Sequence, residues 1–332
     1  MTPSPALLAT LNIQHTALRR NIIQTHPSSI TMATQTTIAK LTRPITHRYE
    51  VSRESRNRYQ SHALVLPPNE WERHDPFLLM AEDWFRHPGG FETHPHRGFE
   101  TVTIIIDGVL QHKDSKGNSG IIHPGGAQWT TIGRGVLHSE LPANRETEVH
   151  SLQLWLNLPK SAKSQEASYQ DIQSFEMPSR DIFSPDGTSA GTLRVISGTS
   201  GNLVSRTKNP GGIPIKALDI SITRSGVTLV EEFRAEDNLF LYVVSGKATV
   251  QGESTEEHTT LLSAPFVAEG SDSSVLTIES VKASEAEPLR IIVFAGKPIG
   301  EPVVQRGPFV GNTWEDVLQA QKDYVEGRFY GL

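Results

Sequence analysis

No cysteine occurs among the 332 residues. Its absence excludes a disulfide framework, a thiolate metal ligand and a cysteine nucleophile. Aromatic residues make up only 7%, and no apolar run approaches the roughly 20 residues that a membrane-spanning helix needs. Acidic residues are missing from the first 48 positions, which hold five basic ones: Arg19, Arg20, Lys40, Arg43 and Arg48. The remainder carries −11, with 26 basic against 37 acidic residues, so nothing indicates a surface for nucleic acid. The chain is long enough for two domains with a sizeable core, and its composition is that of a soluble intracellular protein with no membrane partner.

The acid-free stretch over 1–48 is Ser/Thr-rich and begins with an apolar Ala6-Leu7-Leu8. It reads as a disordered or targeting leader. Two origins stay open: a mitochondrial transit peptide over residues 1–31, or Met32 as the true start, after which the expected location is cytoplasmic or nuclear.

What the chain does have is histidine, thirteen in all, three of which matter most together with one glutamate. His94 and His96 form a His-Pro-His, and His138 and Glu140 form a His-Ser-Glu 42 residues past the end of the first motif. Side chains two apart on a strand point the same way. If the two segments lie side by side, three imidazoles and a carboxylate converge on one point. Such a set with open positions suits Fe(II), and tolerates Zn, Mn, Ni or Cu. His112, His123, His150 and His258 have no partner at ligand spacing.

Between the motifs the pattern is antiparallel β. Glu100 to Ile106 is β-branched and apolar, and Asp107-Gly108 is a hairpin signal. Glycine turns recur every 8–12 residues, which predicts a sandwich or small barrel, and a barrel mouth suits a ligand.

Taken together, His94-Pro95-His96-Arg97-Gly98-Phe99-Glu100-Thr101-Val102, Gln128-Trp129, Gly133-Arg134-Gly135 and His138-Ser139-Glu140 resemble the pirin family of the cupin superfamily. Asp75-Pro76-Phe77, Pro88-Gly89-Gly90-Phe91, Leu152-Gln153-Leu154-Trp155 and Gly307-Pro308-Phe309-Val310 extend the likeness from about Tyr49 to the C-terminus. The resemblance implies an all-β chain of two tandem cupin barrels with a C-terminal helix: a metal-binding domain over 49–165 and a metal-free one over 166–332. It places one mononuclear iron on His94, His96, His138 and Glu140, and leaves Glu100 to a supporting or salt-bridging role. It also implies two functions. One is a quercetin 2,3-dioxygenase-type oxidoreductase acting on a small phenolic or flavonol substrate and O₂, with Glu140 as the catalytic base. The other is an iron-dependent, redox-sensing transcription cofactor that binds a transcription-factor partner. Proximity in sequence suggests Phe77, Met80, Phe91, Gln128 and Trp129 as pocket walls.

The second half repeats the strands without the ligands. Aligning Gly246 with Gly108 puts Glu232 and Arg234 where His94 and His96 stand, and arginine does not ligate metals. Residues 252–287 are acidic and read as a solvated face. Near the end, Asn312 with Glu315 resembles a capping box, and Val317, Leu318, Gln321, Tyr324 and Val325 fall on one helical face.

Overall fold

The computed structural model describes residues 41–265 and 272–330. The leader up to residue 40, with Met32, and Glu269 of the acidic stretch lie outside them. Chain order begins with β1 (Leu41–Thr42), β2 (His47–Glu50), β3 (Glu54–Asn57), β4 (Gln60–Leu66), β5 (Phe77–Phe85) and β6 (Phe91–His96). There follow β7 (Phe99–Asp107), β8 (Leu110–Asp114), β9 (Ser119–Ile122), β10 (Ala127–Thr131), β11 (Val136–Pro142), β12 (Val149–Asn157) and β13 (Ser168–Ile172). A seven-stranded sheet, β13-β10-β7-β12-β5-β4-β3, and a four-stranded sheet, β6-β11-β8-β9, form the first barrel.

The second half continues with β14 (Ser179–Phe183), β15 (Ser189–Ser197), β16 (Thr199–Ser200), β17 (Leu203–Val204), β18 (Ile215–Ile222), β19 (Thr228–Arg234) and β20 (Asn238–Ser245). Then come β21 (Lys247–Val250), β22 (Glu253–Glu256), β23 (Thr259–Ser263), β24 (Ser273–Lys282), β25 (Leu289–Gly296), β26 (Val304–Arg306) and β27 (Phe309–Gly311). Its large sheet runs β14-β15-β18-β25-β20-β23-β2, and β1, β19, β21, β22 and β24 form the other. The fold is therefore all-β, two tandem small barrels and one C-terminal helix.

The two large sheets pack on each other. Val102, Ile104, Trp129 and Leu154 of the first meet Phe240, Tyr242 and Phe294 of the second in one buried cluster. On β7 the opposite face, Phe99 and Ile105, joins clusters on the first barrel's own side. Both faces of the strand are covered, which is why Glu100 to Ile106 shows no polar alternation.

Residues 41–48, which the acid-free composition assigns to the leader, carry strands. β1 pairs in parallel with β24, and β2 pairs with β23 in the second barrel. Between them Arg43 is fully buried and donates to Ser274 Oγ and to the carbonyls of Arg234, Ala235 and Asp237. Strands of two and four residues are too short to show a period, and a core arginine looks like any other leader cation. At the other boundary, β13 still pairs with β10, so the first barrel's sheet runs past residue 165, and the second barrel's large sheet resumes at β14.

The C-terminal helix spans Trp314–Val325, capped one residue later than the sequence suggested: Asp316 N–H donates to Thr313 Oγ1, and Asp316 Oδ2 accepts from the Thr313 N–H. Val317 and Ala320 are its buried face, against Leu137, Phe309 and Phe329. Leu318 and Val325 point outward instead, at 47% and 73% exposure. No described helix is long and apolar enough to cross a membrane.

Candidate metal centre

β6 and β11 are antiparallel neighbours, with His94 opposite His138 and His96 opposite Val136. The two-residue period puts His94 and His96 on one face, and cross-strand pairing adds His138 to it. The chain then leaves β6 through Gly98, whose φ is +92°; a Cβ there would lie 1.9 Å from the Val310 carbonyl oxygen, so only glycine fits. Lys163 Nζ fastens this turn, donating to the Gly98 carbonyl at 2.7 Å and to Asn157 Oδ1 at 2.6 Å. From outside, Arg97 pairs with Asp323 of the C-terminal helix at 2.6 Å and lies over the Phe329 ring.

The ligand atoms of His94, His96 and His138 all lie within 4.8 Å of one another. His94 Nδ1 is 2.7 Å from the Glu92 carbonyl oxygen. A carbonyl only accepts, so Nδ1 carries the proton and Nε2 of the neutral ring presents a lone pair. That Nε2 is 3.0 Å from His96 Nε2, while both ring nitrogens of His138 are buried without a partner. Burial pushes all three imidazoles below the ordinary histidine value, His96 and His138 well below it, with the neighbouring rings adding to the shift for those two. Three neutral imidazoles converging in a buried place, with both His138 nitrogens unpaired and the Nε2 atoms of His94 and His96 facing only each other, fit a divalent cation: the ion would satisfy groups whose burial is otherwise unfavourable.

Glu140 is buried on the same strand, past a register irregularity that follows His138. Its carboxylate is not one of the triplet. It accepts from Gln153 Nε2 at 2.9 Å on both oxygens and from Thr103 Oγ1 at 3.3 Å. Glu140 also lines a tight crevice with no room for a water molecule, walled by Phe85, Phe91 and Leu110, with Asp83 and Ser151 alongside. Of the expected walls only Phe91 lines it. Phe77, Met80 and Trp129 belong to the core between the barrels: Met80 and Trp129 alternate onto the other face of their strands, and an irregularity in the β5–β12 pairing between Leu79 and Phe77 turns Phe77 to the same side. Gln128 is engaged with Asp171 at 2.7 Å.

Glu100 faces away from the triplet. Gly98 resets the alternation, so Glu100 shares the inter-barrel face of Val102 and Ile104, whereas Thr103 reaches Glu140 from the opposite face. It is not salt-bridged to any cation among the described residues; it accepts from Thr131 Oγ1 at 2.6 Å. Burial pushes its carboxyl up to about 7 against the pull of that bond.

Sequence spacing overlooked His112. In the β8–β11 register it stands opposite Glu140, and its ring lies 5.5 Å from that of His138. Gln153 and Trp155 were also missed as site residues, although their alternation along β12 places both toward the site: Trp155 packs on His96 at 5.1 Å and stacks on Phe99 at 4.2 Å. In the second barrel, Glu232 is exposed and Arg234 is tied to Asp237 at 2.6 Å. The inward residues of β19 are Leu229, Glu231 and Phe233.

This arrangement matches known proteins along most of the chain. The family model "Pirin" matches residues 59–156, and "Pirin C-terminal cupin domain" matches 218–330. A pirin-like protein of Caulobacter vibrioides is 37% identical over 274 residues, covering 80% of this chain and 91% of that protein. Pirin of Homo sapiens is 36% identical over 253 residues, covering 75% of this chain and 81% of its own length. A solved structure of quercetin 2,3-dioxygenase from Acinetobacter baumannii superposes with a TM-score of 0.75 at 25% identity, covering 87% of this chain and 98% of that one. Both halves being matched, at this identity to nearly full-length relatives, the chain belongs to the pirin family.

Proposed function

We propose that this protein holds one metal ion on His94, His96 and His138, with Glu140 completing the site, and acts as a quercetin 2,3-dioxygenase-type oxidoreductase on a flavonol or related phenolic substrate. The observation that carries this reading is the juxtaposition of three neutral imidazoles with a buried carboxylate at a cavity. The mixed nitrogen and oxygen donor set suits Fe(II) first, and accommodates Zn, Mn, Ni or Cu. A bound ion supplies Lewis acidity toward a substrate hydroxyl and a route for electrons to O₂. The rest falls to the chain's own groups. Glu140, which no lysine or arginine pairs among the described residues, takes the proton of that hydroxyl. Gln153 and Thr103 keep the Glu140 carboxylate oriented, and Phe85, Phe91 and Leu110 exclude water. The kinship with the Acinetobacter enzyme supports the substrate class.

A second reading rests on the tightness of this crevice. It has no room even for a water molecule, against the roughly 300–1,000 Å³ of small-molecule pockets, so a flavonol enters only if a wall such as Phe91 moves. A barrel that stays closed would serve the alternative, an iron-dependent redox-sensing transcription cofactor acting through protein–protein binding. Anaerobic Fe(II) loading followed by oxygen-consumption assays with quercetin tests the two. Quercetin-dependent oxygen uptake supports the dioxygenase. No uptake, with binding of a nuclear protein only in the oxidised state, supports the cofactor.

A further inference from the structure

The cavity beside Glu140 has a second polar end that the metal centre does not use. Asp83 sits on β5 directly opposite Ser151 of β12, and both line the cavity with Phe85, Phe91 and Leu110. Asp83 is 4% exposed, and its Oδ1 is buried with no hydrogen-bond partner. Its neighbours on the strand face the other way: Glu82 is bonded to His150 and Tyr242, and Trp84 joins the inter-barrel core. A carboxyl left unpaired inside a barrel is unfavourable, and such groups persist where a ligand satisfies them. Burial raises the Asp83 carboxyl to about 7, with Glu140 and Glu82 adding to the rise and Arg56 opposing it, so around neutrality it is able to donate as well as accept.

We propose that Asp83, with Ser151 beside it, is a hydrogen-bonding subsite for a substrate hydroxyl remote from the metal. The substrate would then be a polyhydroxylated aromatic with two polar edges, admitted as Phe91 turns aside: one hydroxyl directed at the metal and Glu140, another at Asp83, and an apolar ring between them against Phe85 and Leu110. This rests on the dioxygenase reading for the orientation of the first hydroxyl.

The test compares quercetin with 3-hydroxyflavone, which keeps the metal-directed hydroxyl and lacks the others. Fe(II)-loaded wild type, Asp83→Asn and Asp83→Leu are titrated with each flavonol anaerobically, following the flavonol absorbance, and then assayed for oxygen uptake. Sites that bond a substrate hydroxyl discriminate strongly against analogues lacking it. Wild type should bind quercetin at least tenfold more tightly than 3-hydroxyflavone. Asp83→Leu should reduce that preference to near unity by losing quercetin affinity, with iron content and 3-hydroxyflavone affinity kept, and Asp83→Asn should retain part of it. An unchanged preference in a folded, iron-loaded Asp83→Leu overturns the subsite and leaves the dioxygenase reading standing. Wild type that binds neither flavonol overturns both.

Discussion

The two barrels share one plan, a large sheet paired with a smaller one, and fill it differently. In the second, Leu229, Phe233, Leu241, Leu261, Leu276 and Val293 belong to a single continuous apolar core. In the first, the apolar residues on the corresponding side split into two small clusters, and the space between holds His94, His96, His138, Glu140, Gln153 and Asp83. Each barrel also buries carboxylates, of which Glu140 and Glu231 make the pair to compare. Glu231 is neutralised by Lys216 at 2.6 Å and Arg180 at 3.0 Å, and Ser200 donates to it as well. Glu140 has only neutral donors. A fold that packs one copy to completion and leaves unpaired nitrogens and an unpaired carboxyl in the other has reserved that copy for ligands, at some loss of stability.

The sharpest way to break this comparison is to neutralise both carboxylates. Glu140→Gln should lower oxygen uptake with quercetin by about 10²–10⁴-fold, the usual effect of removing a general base, or lower iron occupancy. Glu231→Gln should leave iron and uptake unchanged and instead lower stability by roughly 3 kcal/mol, as when one partner of a buried ion pair is lost. Denaturant melts and steady-state assays on both variants separate the roles.

Next in size is the link between the barrels. Glu82 is fully buried in the first barrel and accepts from His150 at 2.7 Å and from Tyr242 of the second at 2.5 Å, with His258 3.7 Å away. Burial alone would raise its carboxyl, but hydrogen bonds from His150, His258 and Tyr242 outweigh that and hold it lower. Glu82→Gln should destabilise the protein by about 3–5 kcal/mol. The hydrogen bond to Glu82 raises His258 above its ordinary value, so its contribution is present in acid and is lost as pH rises through the folded value. The loss in Glu82→Gln should therefore be larger at pH 6 than at pH 8 in chemical denaturation.

Glu100 gives a smaller effect of opposite sign. Its folded value of about 7 exceeds the ordinary 4.5, so the stability present below pH 4.5 declines as pH climbs to 7. Glu100→Gln mimics the protonated form. It should flatten the pH dependence across that window and raise stability at pH 8 by roughly 3 kcal/mol, taking about 1.4 kcal/mol per pH unit. Iron should stay in place; its loss would return Glu100 to the ligand set. The smallest effect belongs to the outward face of the terminal helix, where Leu318→Ser should change stability by no more than about 0.5 kcal/mol.

Sequence revealed what is local and periodic. The two-residue spacing within His-Pro-His and His-Ser-Glu was enough to place each pair on one face, and the glycine-punctuated strands indicated barrels. Cross-strand register was hidden: His112, Gln153 and Asp83 reach the site from strands whose pairing no spacing reveals. The pocket walls failed for a related reason: Met80 and Trp129 are near the motifs in sequence but alternate onto the opposite face, and a register irregularity in β5 turns Phe77 with them. Spacing alone sets Glu100 about 13 Å along the strand from His96, four residues on; the stronger cause of its separation from the three histidines is the turn at Gly98, which reverses the side on which Glu100 projects.

Iron stoichiometry measures the central claim most directly. Wild type and His96→Ala are loaded with Fe(II) without oxygen, desalted together and analysed for iron per folded chain. Metal ligands carry large shares of a site's free energy, so wild type should retain about one iron and His96→Ala at least tenfold less. Equal iron in the two proteins would contradict the assignment of the first barrel's histidines as the metal centre.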